Sequence, residues 1–377
     1  MSLDWIFKPT VKIFGPDGAM PWESYDALKG LLIILIVIGH NTLLTSAVPY
    51  LDWVLYNFHV GAFLLLPFLF VADDFTWPSI RDKLVRYLWP YLIFVIGTFL
   101  IHYNMYWAGN ISSPVITLKV ITNALIFSNA LSLKAATGFA LFWFLPALTS
   151  LLIIRSFVCS LQTKFALVAM VILMAALWLV FYSDIRVDFL PFGIVIALYM
   201  LPVGMAAGIL AGILLMNRHQ FTILLLSIGV FVFLQVISIT GDTRINVGSN
   251  QFQQHESWDI ILLHVSLQIT GFVMCLLLSR YLTKIPFLQL VGKHSLLIYL
   301  THSLIYQALI RVFPKIGIQF DDFVQGAIIF AITLAIATMV SLFVYYRAWL
   351  RNLIQPRDLA TLKTALHLTK KPTEENG

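Results

Sequence analysis

Charge is scarce in this sequence. Only 11% of its 377 residues are Asp, Glu, Lys or Arg, less than half of the ~25% usual in soluble domains. Such a chain cannot clothe a water-exposed surface, which excludes soluble enzymes, disordered regulators and fibrous proteins. Cysteine is nearly absent. Cys159 and Cys275 both lie in apolar runs and imply neither a disulfide framework nor a metal site. No basic cluster is interleaved with exposed aromatics, so the net charge of +6 does not point to nucleic acid. No short apolar core with a cleavage site precedes residue 28 either. A removable signal peptide is therefore not expected, and the first span should direct insertion.

What is present is apolar: 60% of the residues are hydrophobic and 14% aromatic. A helix needs ~20 apolar residues to cross the hydrocarbon core of a bilayer. Ten stretches qualify: 28–47, 52–72, 88–107, 139–158, 164–183, 190–216, 220–240, 260–280, 287–312 and 323–348. Pro202 is a candidate kink in the sixth. Segment 113–130 is apolar but short and interrupted by polar residues, and reads as an interfacial or re-entrant piece. With the N-terminus inside, eighteen Lys and Arg fall on the inner side and six on the outer. The positive-inside rule then places both termini in the cytoplasm, with loops 108–138 and 241–259 outside. The expectation is an all-α, polytopic integral membrane protein of about ten transmembrane helices, N-in and C-in. A single domain over 1–350 precedes a short cytoplasmic tail over 351–377.

Ionisable residues within spans are costly, so each is a functional candidate. Lys29 and His40 are eleven residues apart in the first span. Three turns separate them, so they share one face about 16 Å apart. A ligand threaded along that face would have a cation at one end and an imidazole at the other. The bland alternative is that Lys29 snorkels to headgroups and His40 bonds a neighbouring helix. His59 and His302 fall at a depth similar to that of His40, and His264 somewhat higher. Such a layer suits a common cavity, a proton relay or a set of interhelical hydrogen bonds. Three histidines also raise zinc, but no close ligand pair supports it, and no metal is expected. Arg81, Lys83 and Arg86 sit just ahead of the third span. They either anchor it or offer cations to a polyanion such as a nucleotide phosphate.

Five stretches, in order over nearly the whole chain, resemble the membrane acyltransferase-3 family. Asp26, Lys29 and His40 match its Asp, two residues, Arg, ten residues, His pattern, with Lys in place of Arg. FHVGAFLLLPFLF from Phe58 is similar to its second span, with the usual Ser-Gly pair replaced near Leu66 and Pro67. KLVRYLWPY from Lys83 resembles its basic loop, FWFLPAL from Phe142 its Trp-Phe-Leu-Pro span, and LVGKHSLLIYLTHSL from Leu290 its late His span.

The resemblance implies transfer of an acyl group, usually acetyl from acetyl-CoA in the cytoplasm, to a hydroxyl of a polysaccharide or glycolipid outside. The setting would be the cell (inner or plasma) membrane, with lipids and the glycan acceptor as partners. Catalysis would fall to His40, Asp26, His302 and His59. The CoA phosphates would be held by Lys29, Lys83, Arg86 and Arg81, and the acceptor by Trp143 and Tyr299. Two other readings stay open: an exporter of a glycan or lipid-linked sugar with a histidine proton relay, and a non-catalytic partner of a polysaccharide synthesis complex. CoA binding by the purified protein separates the first reading from both.

Overall fold

The structure is a computed structural model that describes residues 13–15, 18–107, 118–182, 190–244, 247, 257–317 and 319–366. Lys8, Lys12, Arg186, Lys370, Lys371 and parts of loops 108–138 and 241–259 lie outside the described residues. Among the described residues there is no strand, only a single bridge between Phe14 and Met20.

The helices run in order as follows: α1 (Trp22–Gly39), α2 (Thr42–Ala47), α3 (Leu51–Tyr56), α4 (His59–Leu65), α5 (Trp77–Lys83), α6 (Trp89–Trp107), α7 (Leu118–Phe127), α8 (Ala130–Thr137) and α9 (Phe144–Ser160). They continue as α10 (Thr163–Tyr182), α11 (Ile194–Leu215), α12 (Gln220–Thr240), α13 (Trp258–Tyr281), α14 (Pro286–Lys293), α15 (Ser295–Lys315), α16 (Asp322–Tyr346), α17 (Ala348–Ile354) and α18 (Leu359–Ala365). Single 3-10 turns follow α4 at Leu66–Leu69 and precede α9 and α11.

Eight helical runs among the described residues are long and apolar enough to span a bilayer. The chain is therefore an all-α, multi-pass membrane protein. The other two expected spans are helical as well. One is α1, which carries Glu23, Asp26 and Lys29; the other is α10. The large apolar side chains of α12 (Phe221, Leu225, Leu226, Phe233 and Val236) are exposed, as a lipid-facing helix requires.

Three expectations need correction. The first span does not run unbroken over 28–47, because α1 stops at Gly39 and α2 restarts at Thr42. The second is divided at Asn57–Phe58. The basic stretch before the third span is not a loop: α5, a π-helical turn at Leu84–Leu88 and α6 form one run from Trp77 to Met105. Pro202, the candidate kink, lies inside α11.

The contacts divide the chain into two compact units: residues 1–72, 158–187 and 195–341, and residues 73–157, 188–194 and 342–377. In the first, α1 is the central rod, touched by α3, α4, α13, α14 and α15. Its tightest crossing is with α14. A methyl on Gly30 would run into the Leu288 carbonyl, and one on Gly292 into the Asp26 carbonyl. Only glycine allows two backbones to approach this closely, the small-residue packing that membrane helices use in place of hydrophobic collapse. Tyr306, Phe313 and Ile329 form a buried core between α15 and α16, and Leu43 of α2 packs on it. In the second unit, the buried Tyr91 hydroxyl donates to the Ala124 carbonyl at 2.8 Å, and Trp89 Nε1 donates to the Leu353 carbonyl at 2.7 Å. Asp358 caps α18 by accepting from the Thr361 backbone N–H and hydroxyl, which holds its carboxyl below the usual carboxylate range.

Candidate active site

Two helix breaks shape the site, and each is fixed by a buried asparagine. At the first, Asn41 caps α2 by accepting from Leu44 N–H at 3.2 Å, while its amide donates to the Gly326 carbonyl on α16 at 2.7 Å. At the second, the Asn57 amide donates to Gln235 Oε1 and Ser238 Oγ of α12, both at 3.0 Å. Interhelical hydrogen bonds in membranes contribute about 0.6 kcal/mol each. These also satisfy backbone and amide groups that hydrocarbon would leave bare. His40 stands at the first break, and His59 begins α4 just after the second.

The two breaks and the uninterrupted α15 bring three imidazoles together. The His40 ring centroid lies 5.2 Å from His302 and 6.5 Å from His59, edge-on to both at 72° and 68°. All three rings are held alike. Nδ1 of His40 contacts the Ile36 carbonyl at 2.8 Å, His302 the Ile298 carbonyl at 3.1 Å, and His59 the Leu55 carbonyl. A carbonyl only accepts, so each Nδ1 carries the hydrogen and each neutral ring keeps its lone pair on Nε2. His59 and His302 are buried with their Nε2 atoms unpartnered, whereas His40 is partly exposed. Leaving a buried acceptor unmade costs about 1–3 kcal/mol, so each such atom calls for a partner, which an ordered water or a reacting hydroxyl supplies. Gly39 makes room for one of these atoms: a methyl there would stand 3.0 Å from His59 Nε2. Among the described residues, no group of three or more His, Cys, Asp or Glu side chains has the geometry to hold a metal ion.

The remaining sequence candidates fall as follows. Tyr299 is buried on α15 with its ring 6.0 Å from that of His302, so it joins the cluster. Asp26 and Lys29 pair at 2.9 Å, with Lys29 also 4.6 Å above the Tyr25 ring and Lys293 at 3.9 Å from Asp26. Both lie eleven residues or more from His40, toward the other end of α1. His264 is bonded to the Tyr199 hydroxyl at 2.7 Å and to Gln268 at 3.0 Å.

In the second unit, Lys83 is buried, with Nζ 3.0 Å from Asp73 and 2.6 Å from Ser79 Oγ. Arg81 bonds its neighbour Asp82. Arg86 is exposed, with its guanidinium 5.6 Å from the Tyr87 ring. Trp143 is buried against Phe144, its ring centroid 6.2 Å away.

Sequence reasoning missed Tyr56, whose ring lies 6.2 Å from His40 and 5.1 Å from His59. It also missed Arg244 and Asp52, which join Tyr56 at the cluster's edge. Tyr56 was findable, since it is an aromatic residue only three positions before His59. Nothing local ties Arg244 to residues almost two hundred positions earlier.

Neither curated proteins nor solved structures include one that matches this chain. A family model described as an acyltransferase domain matches residues 22–346, from the first residue of α1 to the last of α16. With α1 through α16 matched, the chain belongs to the membrane acyltransferase-3 family.

Proposed function

We propose that the protein moves an acyl group, most simply acetyl, from a coenzyme A thioester to a hydroxyl of a polysaccharide or glycolipid, with His40 as general base. One observation carries this reading. His40 is the accessible member of three imidazoles whose Nε2 lone pairs are all left free by Nδ1–carbonyl contacts. A neutral imidazole with a free lone pair suits proton removal near pH 7.

In this mechanism the acceptor hydroxyl approaches His40 Nε2, and its oxygen attacks the thioester carbonyl carbon. The proton passes to Nε2, a C–O bond forms, and the C–S bond breaks as the tetrahedral adduct collapses. The imidazolium then returns its proton to the departing thiolate. His59 and His302 offer acceptors for the attacking hydroxyl or a neighbouring one, and so orient it. Lys29 lies on the His40 face of α1, three turns and about 16 Å away. Placed there it serves the anionic end of an extended donor.

The eighteen-to-six distribution of Lys and Arg supports a cytoplasmic donor, both termini inside and an acceptor on the outer face of the cell membrane. The test is His40→Ala with labelled acetyl-CoA. A general base contributes about 10²–10⁴-fold, so transfer should vanish while the protein still inserts. Near-normal transfer by the folded variant removes His40 from the role.

A further inference from the structure

Arg244 is held in place more firmly than its position beyond the end of α12 suggests. The turn 241–244 is fastened to α3 and α12. Thr243 N–H donates to the Ser238 carbonyl at 3.0 Å, and the Ser238 hydroxyl in turn donates to the Thr243 carbonyl at 3.0 Å. The same hydroxyl accepts from Trp53 Nε1 at 2.9 Å and from the buried Asn57 amide at 3.0 Å. Asp52 is fixed from both sides, Oδ1 accepting from Trp53 N–H at 2.8 Å and Oδ2 from Arg244 Nη1 at 2.8 Å. The guanidinium so placed lies 4.9 Å above the Tyr56 ring, whose far neighbours are His40 and His59.

This guanidinium is under-used. Among the described residues its one hydrogen bond is to Asp52 through Nη1, which leaves an edge of paired N–H donors with the fork geometry that matches a carboxylate. The side chain is partly exposed, 29% by area, so a ligand can reach it. The legs through Tyr56, 4.9 and 6.2 Å, put its centre no more than about 11 Å from the His40 ring. A hydrogen bond of about 3 Å at each end, made from nitrogens roughly 1 Å off each centre, leaves at most about 3 Å between, the separation of a hydroxyl and an acid group on adjacent ring carbons.

We infer that Arg244, seated on Tyr56 and steadied by Asp52, selects an acceptor sugar that carries a carboxylate next to the hydroxyl presented to His40. The acceptor class is then an acidic glycan of the hexuronate kind. This inference rests on His40 marking the acceptor site.

The test uses the full-length protein in lipid, with a uronic-acid oligosaccharide and its carboxyl-reduced neutral counterpart as acceptors. Wild type should favour the acidic form by at least tenfold in kcat/KM, through KM, as expected for one charge-assisted contact. In Arg244→Gln that ratio should fall toward one, and in Arg244→Lys part of it should return. A purely structural role would lower both acceptors alike and leave the ratio fixed. Equal use of both acceptors by wild type, or an unchanged ratio in Arg244→Gln, overturns the inference and leaves acyl transfer standing. Direct binding of the two oligosaccharides, measured without donor, separates the remaining cases. Acid-selective binding lost in Arg244→Gln but with no acyl transfer keeps the anion site and removes the acyltransferase reading, and neither binding nor transfer removes both.

Discussion

Replacing Gly39 by alanine should separate stability from activity. Gly39 ends α1 with helical neighbours, where exchanging glycine for alanine favours the helix by about 0.5–1 kcal/mol. The added methyl would meet His59 Nε2 at 3.0 Å and Cε1 at 3.4 Å. That is a few tenths of an ångström too close. The imidazole cannot swing aside cheaply, because its Nδ1 is tied to the Leu55 carbonyl and its ring is wedged between Tyr56 and His40. The crowding therefore offsets much of the helical gain, and the thermal midpoint should stay within about 2 °C. Catalysis should respond more strongly. A displacement of 1 Å costs about a hundredfold when reacting groups must align, so a few tenths should lower the transfer rate roughly five- to tenfold. Intrinsic-fluorescence melting in detergent and initial rates with labelled acetyl-CoA read the two quantities on one preparation. A normal rate at a normal midpoint would refute the idea that His59 Nε2 faces the reacting atoms. A collapse of the midpoint would show instead that the break at Gly39 is rigid beyond what the contacts imply.

Two further substitutions distinguish anchors from ligand contacts. Lys83→Glu puts a like charge beside Asp73 at a buried position, so it should lower the thermal midpoint and the yield by an amount on the order of 2–4 kcal/mol. Arg86→Gln alters an exposed side chain that has no oxygen partner among the described residues, so it should leave the midpoint in place and raise the donor KM about tenfold. An unchanged donor KM in Arg86→Gln would return it to membrane anchoring. Gly292→Ala drives a methyl into the Asp26 carbonyl and should cost about 1–3 kcal/mol, read as a drop of several degrees; an unchanged midpoint would mean that α1 and α14 are not in this register.

Hydrophobic runs made the helical class legible, because a bilayer imposes one length on every crossing. What they hid were the breaks. Averaging over about twenty residues treats Gly39, His40 and Asn41 as one dip in an apolar stretch. Read as stop and start signals, a glycine ending one helix and an asparagine capping the next already mark the interruption. The same averaging hid Asn57. The three histidines could be placed at a common level because helical rise is regular, but their shared Nδ1 anchoring depends on i−4 carbonyls that only the folded backbone supplies. Lys83 and Arg86 look alike in sequence, three residues apart in one basic stretch. They part in the fold, one buried against Asp73 and the other exposed, because helix α5 and its π-helical turn direct them differently. Arg244 was out of reach, since it meets Asp52 and Tyr56 only through the return of α12.

The glycine crossing of α1 with α14 has a mechanical consequence. Where backbone lies on backbone at Gly30 and Gly292, no side chain can change rotamer to let one helix slide on the other. Only His294 separates α14 from α15. Any tilt of α1 must therefore carry α14 with it and pull on the helix that bears His302. Along α1, unbroken from Trp22 to Gly39, the Asp26–Lys29 end and the His40 end thus behave as the two arms of one lever with no joint between them. A carrier that opens first to one side and then to the other needs such a joint in its core. A catalyst that passes a small group along a fixed track works better without one, and its reactants, not its helices, do the travelling.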